Sequence, residues 1–172
     1  MLVRRWPFVL LLGLFFSLQA QAHLMVAQHG TLKLGKGGYY FVLSLPVDAL
    51  DGIDDNNDGL LSAAELKKNQ DLIEQAVHKG FVLEGELDGL RPIEGLLLNL
   101  PHDHNYTQTA TSHVVAMGRF AVPNPNQKIT LMTTLFGHSQ EEKQFQISIT
   151  KGKQKQTLVL GVDSPKKTLF LP

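Results

Sequence analysis

The chain has 172 residues, and its 16 Lys and Arg balance its 16 Asp and Glu, so the formal net charge at pH 7 is zero. It contains no cysteine, which excludes disulfides, thiolate metal sites and thiol catalysis. Removal of the first 22 residues would leave 14 basic and 16 acidic side chains. This slight acidic excess argues against a general nucleic-acid binder.

The first 22 residues have the pattern of a secretory signal peptide. Arg4-Arg5 precedes the apolar run Phe8–Leu18, which is too short for a bilayer span of about 20 residues. Ala20-Gln-Ala22 is typical of a cleavage site, although an uncleaved N-terminal anchor is the alternative. We therefore expect a periplasmic or secreted protein that does not span the membrane after cleavage behind Ala22. Residues 23–172 are expected to form one domain.

Residues 54–65 read Asp-Asp-Asn-Asn-Asp-Gly-Leu-Leu-Ser-Ala-Ala-Glu and fit the pattern D-x-[DN]-x-[DN]-G-x5-E at every specified position. Such a loop surrounds a calcium ion, which prefers roughly six to eight oxygen ligands. Gly59 stands where the chain must turn sharply. The predicted ligands are the side chains of Asp54, Asn56 and Asp58, the carbonyl of Leu60, Ser62 directly or through water, and both carboxylate oxygens of Glu65.

This loop resembles the calcium-binding loop of the EF-hand family. The resemblance covers the loop and the helix after it, because Pro46–Gly52 leaves room for only a short entering helix. Calcium sensors of the family usually pair two loops through the eighth position, here Leu61, and this sequence has no second such loop. The resemblance implies a structural calcium clamp of weak affinity, about 0.1–1 mM, rather than a switch. The alternative is a polar turn that caps a helix and binds nothing.

A helix is predicted from Ala63 to about Lys79. Ser62 and Glu65 form an S-x-x-E capping box at its start, and Gly80 is placed to end it as a C-cap. Apolar residues recur at spacings that give one stripe along the helix. These residues are Leu66, Leu72, Ile73, Ala76 and Val77.

Outside residues 46–80 the apolar pattern has a period of two, which is typical of strands. Short strands with frequent turn signals predict a mainly β fold, an antiparallel β-sandwich with the single EF-hand-like loop and helix inserted at about 46–80. The predicted strands are Leu24–Gln28, Tyr39–Leu45, Phe81–Leu87, Gly95–Leu100, His113–Val122, Ile129–Phe136, Lys143–Thr150, Thr157–Val162 and Thr168–Leu171.

Seven histidines suggest a second metal site. Cleavage behind Ala22 would make His23 the N-terminal residue, whose amine and imidazole could chelate copper or zinc with His102 or His104. The protein would then resemble periplasmic copper carriers, and this is one alternative function. The other interpretation is that these histidines are ordinary solvated or packed side chains. Further candidate ligands are His29, His113 and His138.

No catalytic triad or carboxylate pair stands out, so an enzyme is not predicted. The leading expectation is an exported, non-enzymatic protein whose calcium ion is a structural clamp in a binding or accessory domain. The remaining alternative is an envelope module that binds a protein or a glycan, which an exposed Tyr39, Tyr40 or Tyr106 in a patch would favour. The basic segment Lys151–Lys155 is expected to be a solvated hairpin turn. With Lys166-Lys167 it could instead contact an anionic lipid or polysaccharide.

Overall fold

The computed structural model describes residues 28–101, 110–124 and 126–169. Within these ranges the chain is mainly β, with two α-helices and two short 3-10 turns, Val47–Ala49 and Glu141–Lys143. The helices are α1 (Ala63–Lys68) and α2 (Gln70–Gly80). The strands are β1 (His29–Gly35), β2 (Gly38–Pro46), β3 (Leu61–Ser62), β4 (Phe81–Gly85), β5 (Gly89–Arg91), β6 (Ile93–Asn99), β7 (Ala110–Thr111), β8 (His113–Ala121), β9 (Ile129–Thr133), β10 (Gln144–Lys151), β11 (Gln154–Gly161) and β12 (Lys166–Thr168).

The larger sheet has six strands in the order β11-β10-β1-β2-β8-β6. Its neighbours are antiparallel, as predicted, except that β1 runs parallel to β10. In this one parallel pair the hairpins β1–β2 and β10–β11 lie side by side, with their first strands adjacent and their turns at the same end of the sheet. The prediction of a mainly β chain with antiparallel sheets is confirmed, and the parallel pair is an exception to it.

A four-stranded sheet in the order β12-β9-β4-β5 packs against the larger one. Three phenylalanines meet between the sheets: Phe41 and Phe120 from the larger sheet, and Phe81 from the smaller. Their ring centroids lie 5.1 to 5.6 Å apart, within the range where aromatic pairs attract. All three side chains are buried. These three rings pack together in the single hydrophobic core between the two sheets.

The predicted strand Lys143–Thr150 corresponds to β10, and its side chains alternate as expected. In β10 the side chains of Phe145, Ile147 and Ile149 are fully buried and the residues between them face outward. The predicted strand Leu24–Gln28 lies outside the described residues except for Gln28, which occupies a turn with a φ of 62°. The strand β1, one residue further on, was not predicted.

The predicted single helix from Ala63 to about Lys79 is wrong in three details. It is interrupted at Asn69, whose ψ of 14° separates α1 from α2. Gly80 does not end the helix as a left-handed C-cap but is its last helical residue, and Phe81 begins β4 at once. A Cβ on Gly80 would lie 2.5 Å from Leu135 Cδ2, so the glycine is required by close packing. Leu72, predicted in the apolar stripe, is 50% exposed.

Candidate metal centre

The backbone of residues 54–65 has the turns that the motif predicts. Asn57 and Gly59 both adopt left-handed conformations, with φ values of 57° and 77°. A glycine tolerates this conformation freely, and asparagine is among the few other residues that visit it at low cost. The sharp turn predicted at Gly59 is therefore present, and it folds the first half of the loop back on itself.

The side chains at the first, third and fifth loop positions accept hydrogen bonds from main-chain amides of the same loop. Asp54 accepts from Gly59 N–H at 2.8 Å and from Asp58 N–H at 3.3 Å. Asn56 Oδ1 accepts from Asp58 N–H at 3.0 Å, and Asp58 Oδ1 accepts from Leu60 N–H at 2.8 Å. Three of the predicted ligand side chains are thus held on one short, tightly turned segment by bonds that need no ion.

Glu65 links the two halves of the loop. One carboxylate oxygen accepts from the Asp55 amide at 3.1 Å, and the other accepts from the Ser62 amide at 2.9 Å and the Ser62 hydroxyl at 2.7 Å. The Ser62 hydroxyl in turn accepts from Glu65 N–H at 3.2 Å, so the predicted capping box is confirmed. The hydrogen bonds from Ser62 hold the pKa of Glu65 below its ordinary value, which keeps this buried side chain ionised at neutral pH.

Asp55, at the second loop position, is not a predicted ligand and forms an ion pair with Lys68. Lys68 Nζ lies 2.8 Å from Asp55 Oδ2, and this contact lowers the pKa of Asp55. The lysine side chain is 67% exposed, so the pair contributes little to stability. It does place the positive charge of Lys68 on the one acidic residue of the loop that is outside the predicted ligand set.

Both flanks of the loop are bonded to a single segment that the sequence does not identify, residues 110–112. On the entering side the Val47 amide donates to the Ser112 carbonyl at 2.9 Å. On the exiting side Leu61, which is fully buried, pairs with Thr111 in the β3–β7 sheet. The eighth loop position, which would pair with a second loop in the EF-hand family, therefore pairs here with a short strand of the β-domain.

A buried asparagine supports the entering side. The amide of Asn69, between α1 and α2, donates to the carbonyl of Ile53 at 2.9 Å, and both residues are buried. The only helical structure described between β2 and the loop is the 3-10 turn Val47–Ala49, which agrees with the predicted short entering side. No local sequence signal marks Asn69, because its role depends on a contact 16 residues away.

The predicted ligands are all oxygen donors, and this chemistry fits a hard cation such as calcium. Across the described ranges, no three or more His, Cys, Asp or Glu side chains group together in a way that could hold a metal ion. Three of the six predicted ligands, Asp54, Asp58 and Glu65, are of those types, and the structure does not bring these three together in such a group. The others are Asn56, Leu60 and Ser62, which would supply an amide, a carbonyl and a hydroxyl oxygen. A carboxylate offers about four lone-pair positions, so the amide bonds described above leave capacity for an ion.

The histidine site stays a prediction, because His23, His102 and His104 lie outside the described residues. Of the other candidates, His113 is 6% exposed, its Nε2 atom has no hydrogen-bond partner, and burial lowers its pKa, so the imidazole is neutral. His138 donates its main-chain amide to Asp48 at 2.9 Å while its ring is exposed.

The tyrosines divide by face. Tyr39 is 2% exposed and points into the core, where burial raises its pKa, whereas Tyr40 is 45% exposed. Tyr106 lies outside the described residues. One of the three thus meets the exposure expected of a binding module.

No protein-family model matches the chain, and no match was found among curated proteins. No helix in the described part of the chain is long and apolar enough to cross a membrane. The site itself is therefore the basis for any functional proposal.

Proposed function

We propose that this chain is an exported, non-enzymatic calcium-binding protein in which the loop 54–65 is a structural clamp. The observation that carries the proposal is the loop's internal network, in which Asp54, Asn56 and Asp58 are already held by main-chain amides. A loop ordered before the ion arrives loses little conformational entropy on binding. Calcium would be held by these three side chains with Leu60, Ser62 and Glu65.

The anchoring of the flanks favours a clamp over a switch. Sensors of the EF-hand family open when a helix moves relative to its partner. Here Val47 is bonded to Ser112, Leu61 is paired with Thr111, and Asn69 is bonded to Ile53. A movement of either flank would break these contacts. Bound calcium would therefore stabilise one conformation and leave the rest of the fold unchanged.

The expected stabilisation follows from linkage. An ion that binds only the native state adds RT ln(1 + [L]/Kd), which is about 1.4 kcal/mol at a free concentration ten times Kd. For a domain of this size that corresponds to a rise in Tm of roughly 3–6 °C. With the weak affinity that the resemblance implies, the effect needs millimolar calcium, as found outside the cytoplasm.

The test is thermal melting of the purified protein in EDTA and in millimolar Ca²⁺ or Mg²⁺. We expect a higher Tm in Ca²⁺, little change in Mg²⁺, and loss of the calcium effect in Asp54→Ala. The matched control is Asp51→Ala, an exposed carboxylate just before the loop, which should keep the full response. An equal Tm in Ca²⁺ and EDTA would contradict the proposal, as would an equal loss of response in both variants.

A further inference from the structure

The charges of this protein are sorted by position in the fold. Eleven of its 16 acidic residues lie within residues 48–88, which contain the loop, the two helices and the strands β3 and β4. By contrast, residues 28–47, 110–122 and 143–162 contain no Asp or Glu at all. These three ranges contain β1, β2, β8, β10 and β11, which are five adjacent strands of the larger sheet.

Strand register places several of the cations in one row. Lys33 is paired with Tyr40 on one side and with Thr150 on the other, and Thr150 is paired with Lys155. Paired residues share a face of a sheet, and their strands lie about 4.8 Å apart. The face is the outer one, because the intervening Leu32, Phe41 and Ile149 are buried. Lys33 and Lys155 therefore stand two strands apart, roughly 10 Å, with the half-exposed Tyr40 beside them.

The hairpin turns extend this positive charge. Lys36 lies in the β1–β2 turn and Lys153 in the β10–β11 turn, at the same end of the sheet as the row. None of Lys33, Lys36, Lys153 and Lys155 forms an ion pair with another described residue. All four are exposed. Arg119, the next residue along the row after Tyr40, is instead neutralised by Glu94.

A row of hydroxyl groups runs beside the cations on the same face. Thr31 is paired with Ser148, and Ser148 is paired with Thr157, one step further along the strands. All three side chains are exposed. Hydroxyls both donate and accept hydrogen bonds, while the ring of Tyr40 offers a flat apolar surface with a polar end. This combination fits a flat, charged and hydroxyl-rich ligand.

From these observations we infer that the outer face formed by Lys33, Tyr40, Lys155 and the row Thr31, Ser148 and Thr157 binds an anionic polysaccharide. Lysines would pair with its carboxylate or sulfate groups, the hydroxyl row would bond its hydroxyl groups, and Tyr40 would pack on a sugar ring. The inference does not depend on calcium binding, because it uses none of the loop residues.

Two other anionic partners fit less well. Attachment to an anionic bilayer by insertion needs apolar anchors. The turns that end the two hairpins are Lys36-Gly37 and Gly152-Lys153, which offer no such anchor. A single-stranded nucleic acid would stack its bases on several aromatic side chains. Tyr40 is the only Phe, Tyr or Trp on the described part of this outer face.

The test is binding of the purified protein to dextran sulfate, measured by titration calorimetry in calcium-containing buffer, with neutral dextran as the uncharged control. We expect binding to dextran sulfate alone, weakening as salt is raised. Lys33→Gln/Lys155→Gln should reduce affinity about tenfold, since two exposed ion pairs are lost. Tyr40→Ala should reduce affinity while leaving its salt dependence unchanged. The matched control Lys79→Gln/Lys128→Gln removes two exposed cations from other parts of the fold and should bind within about twofold of the parent.

Three results would overturn the inference. The first is no binding to dextran sulfate. The second is an equal loss of affinity in both double variants, which would show a general charge effect. The third is stronger binding to phosphatidylserine-containing vesicles than to dextran sulfate, which would assign the face to a membrane. A melting curve of each variant shows whether it is folded. A variant that does not fold is not counted as having lost binding.

Discussion

The side-chain amide of Asn69 donates to the main-chain carbonyl of Ile53 at 2.9 Å, joining the break between α1 and α2 to the residue that precedes the loop 54–65. Both groups are buried, so neither has water as an alternative partner. The only helical structure described between β2 and the loop is a 3-10 turn, and this bond adds a buried link between the start of the loop and the helices that follow it.

Replacing Asn69 with alanine should therefore cost about 1–3 kcal/mol of unfolding free energy, because it leaves a buried carbonyl without a partner. Urea unfolding of Asn69→Ala measures this loss. The matched control is Gln70→Ala, which removes the exposed Gln70–Glu74 bond next to it and should change stability by less than about 0.5 kcal/mol. Equal effects of the two changes would contradict the role given to Asn69.

Two substitutions of Glu65 separate capping from metal binding. Glutamine can still accept the Ser62 amide in a capping box, but it loses the negative charge and one of the two predicted oxygen ligands. We expect Glu65→Gln to keep its stability in EDTA within about 1 kcal/mol of the parent and to lose its response to calcium. Glu65→Ala should lose both. Melting in EDTA and in Ca²⁺ distinguishes them, and a full calcium response in Glu65→Gln would count against the predicted site.

The buried His113 should make stability depend on pH. Burial lowers its pKa in the folded state, whereas in the unfolded chain it is protonated below about 6.5. Between these two values the unfolded state binds more protons, so stability falls as pH decreases from about 6.5 toward the folded pKa. His113→Phe should remove this part of the slope, measured by urea unfolding from pH 8 to 5. The exposed His78→Gln should leave it in place.

Gly80 should not tolerate a side chain, although it lies in a helix where alanine is normally favoured. The new Cβ would lie 2.5 Å from Leu135 Cδ2 in the core. We expect Gly80→Ala to destabilise the fold by about 1–3 kcal/mol through overpacking. Gln75→Ala, at an exposed position of the same helix, serves as the control. The double variant Gly80→Ala/Leu135→Ala should lose less stability than the sum of the losses in the two single variants, since the smaller side chain at position 135 relieves the contact.

The sequence predicted the parts of this fold that depend on local patterns. The alternation of Phe145, Ile147 and Ile149 identified β10, and the capping residues Ser62 and Glu65 identified the start of α1. The strand β1 also alternates, with Leu32 buried between the exposed Thr31 and Lys33, so a signal for it was present. The pattern does not indicate which distant strand β1 will pair with, and its parallel partner could not be predicted.

The same distinction applies to the candidate site. The sequence of residues 54–65 predicts a set of oxygen ligands for a metal ion, because the predicted turns and ligands lie within one short segment. The supports at Asn69 and at residues 110–112 are determined by contacts between remote parts of the chain. The helix break at Asn69 was missed because the apolar stripe continues across it, while the bond from Asn69 to Ile53 joins residues 16 positions apart. Metal binding by the loop stays a prediction until the melting experiment is done.

The parallel pairing of β1 with β10 has a kinetic consequence. It brings His29 opposite Gln146, so the centre of the larger sheet is made from strands near opposite ends of the described chain. Contacts of such high sequence separation form slowly, because a long loop must close before they contribute any stability. The hairpins β1–β2 and β10–β11 can each form early, but the sheet that joins them must wait for nearly the whole polypeptide. We expect folding to be limited by the docking of these two hairpins, with the basic face completed only at that late step.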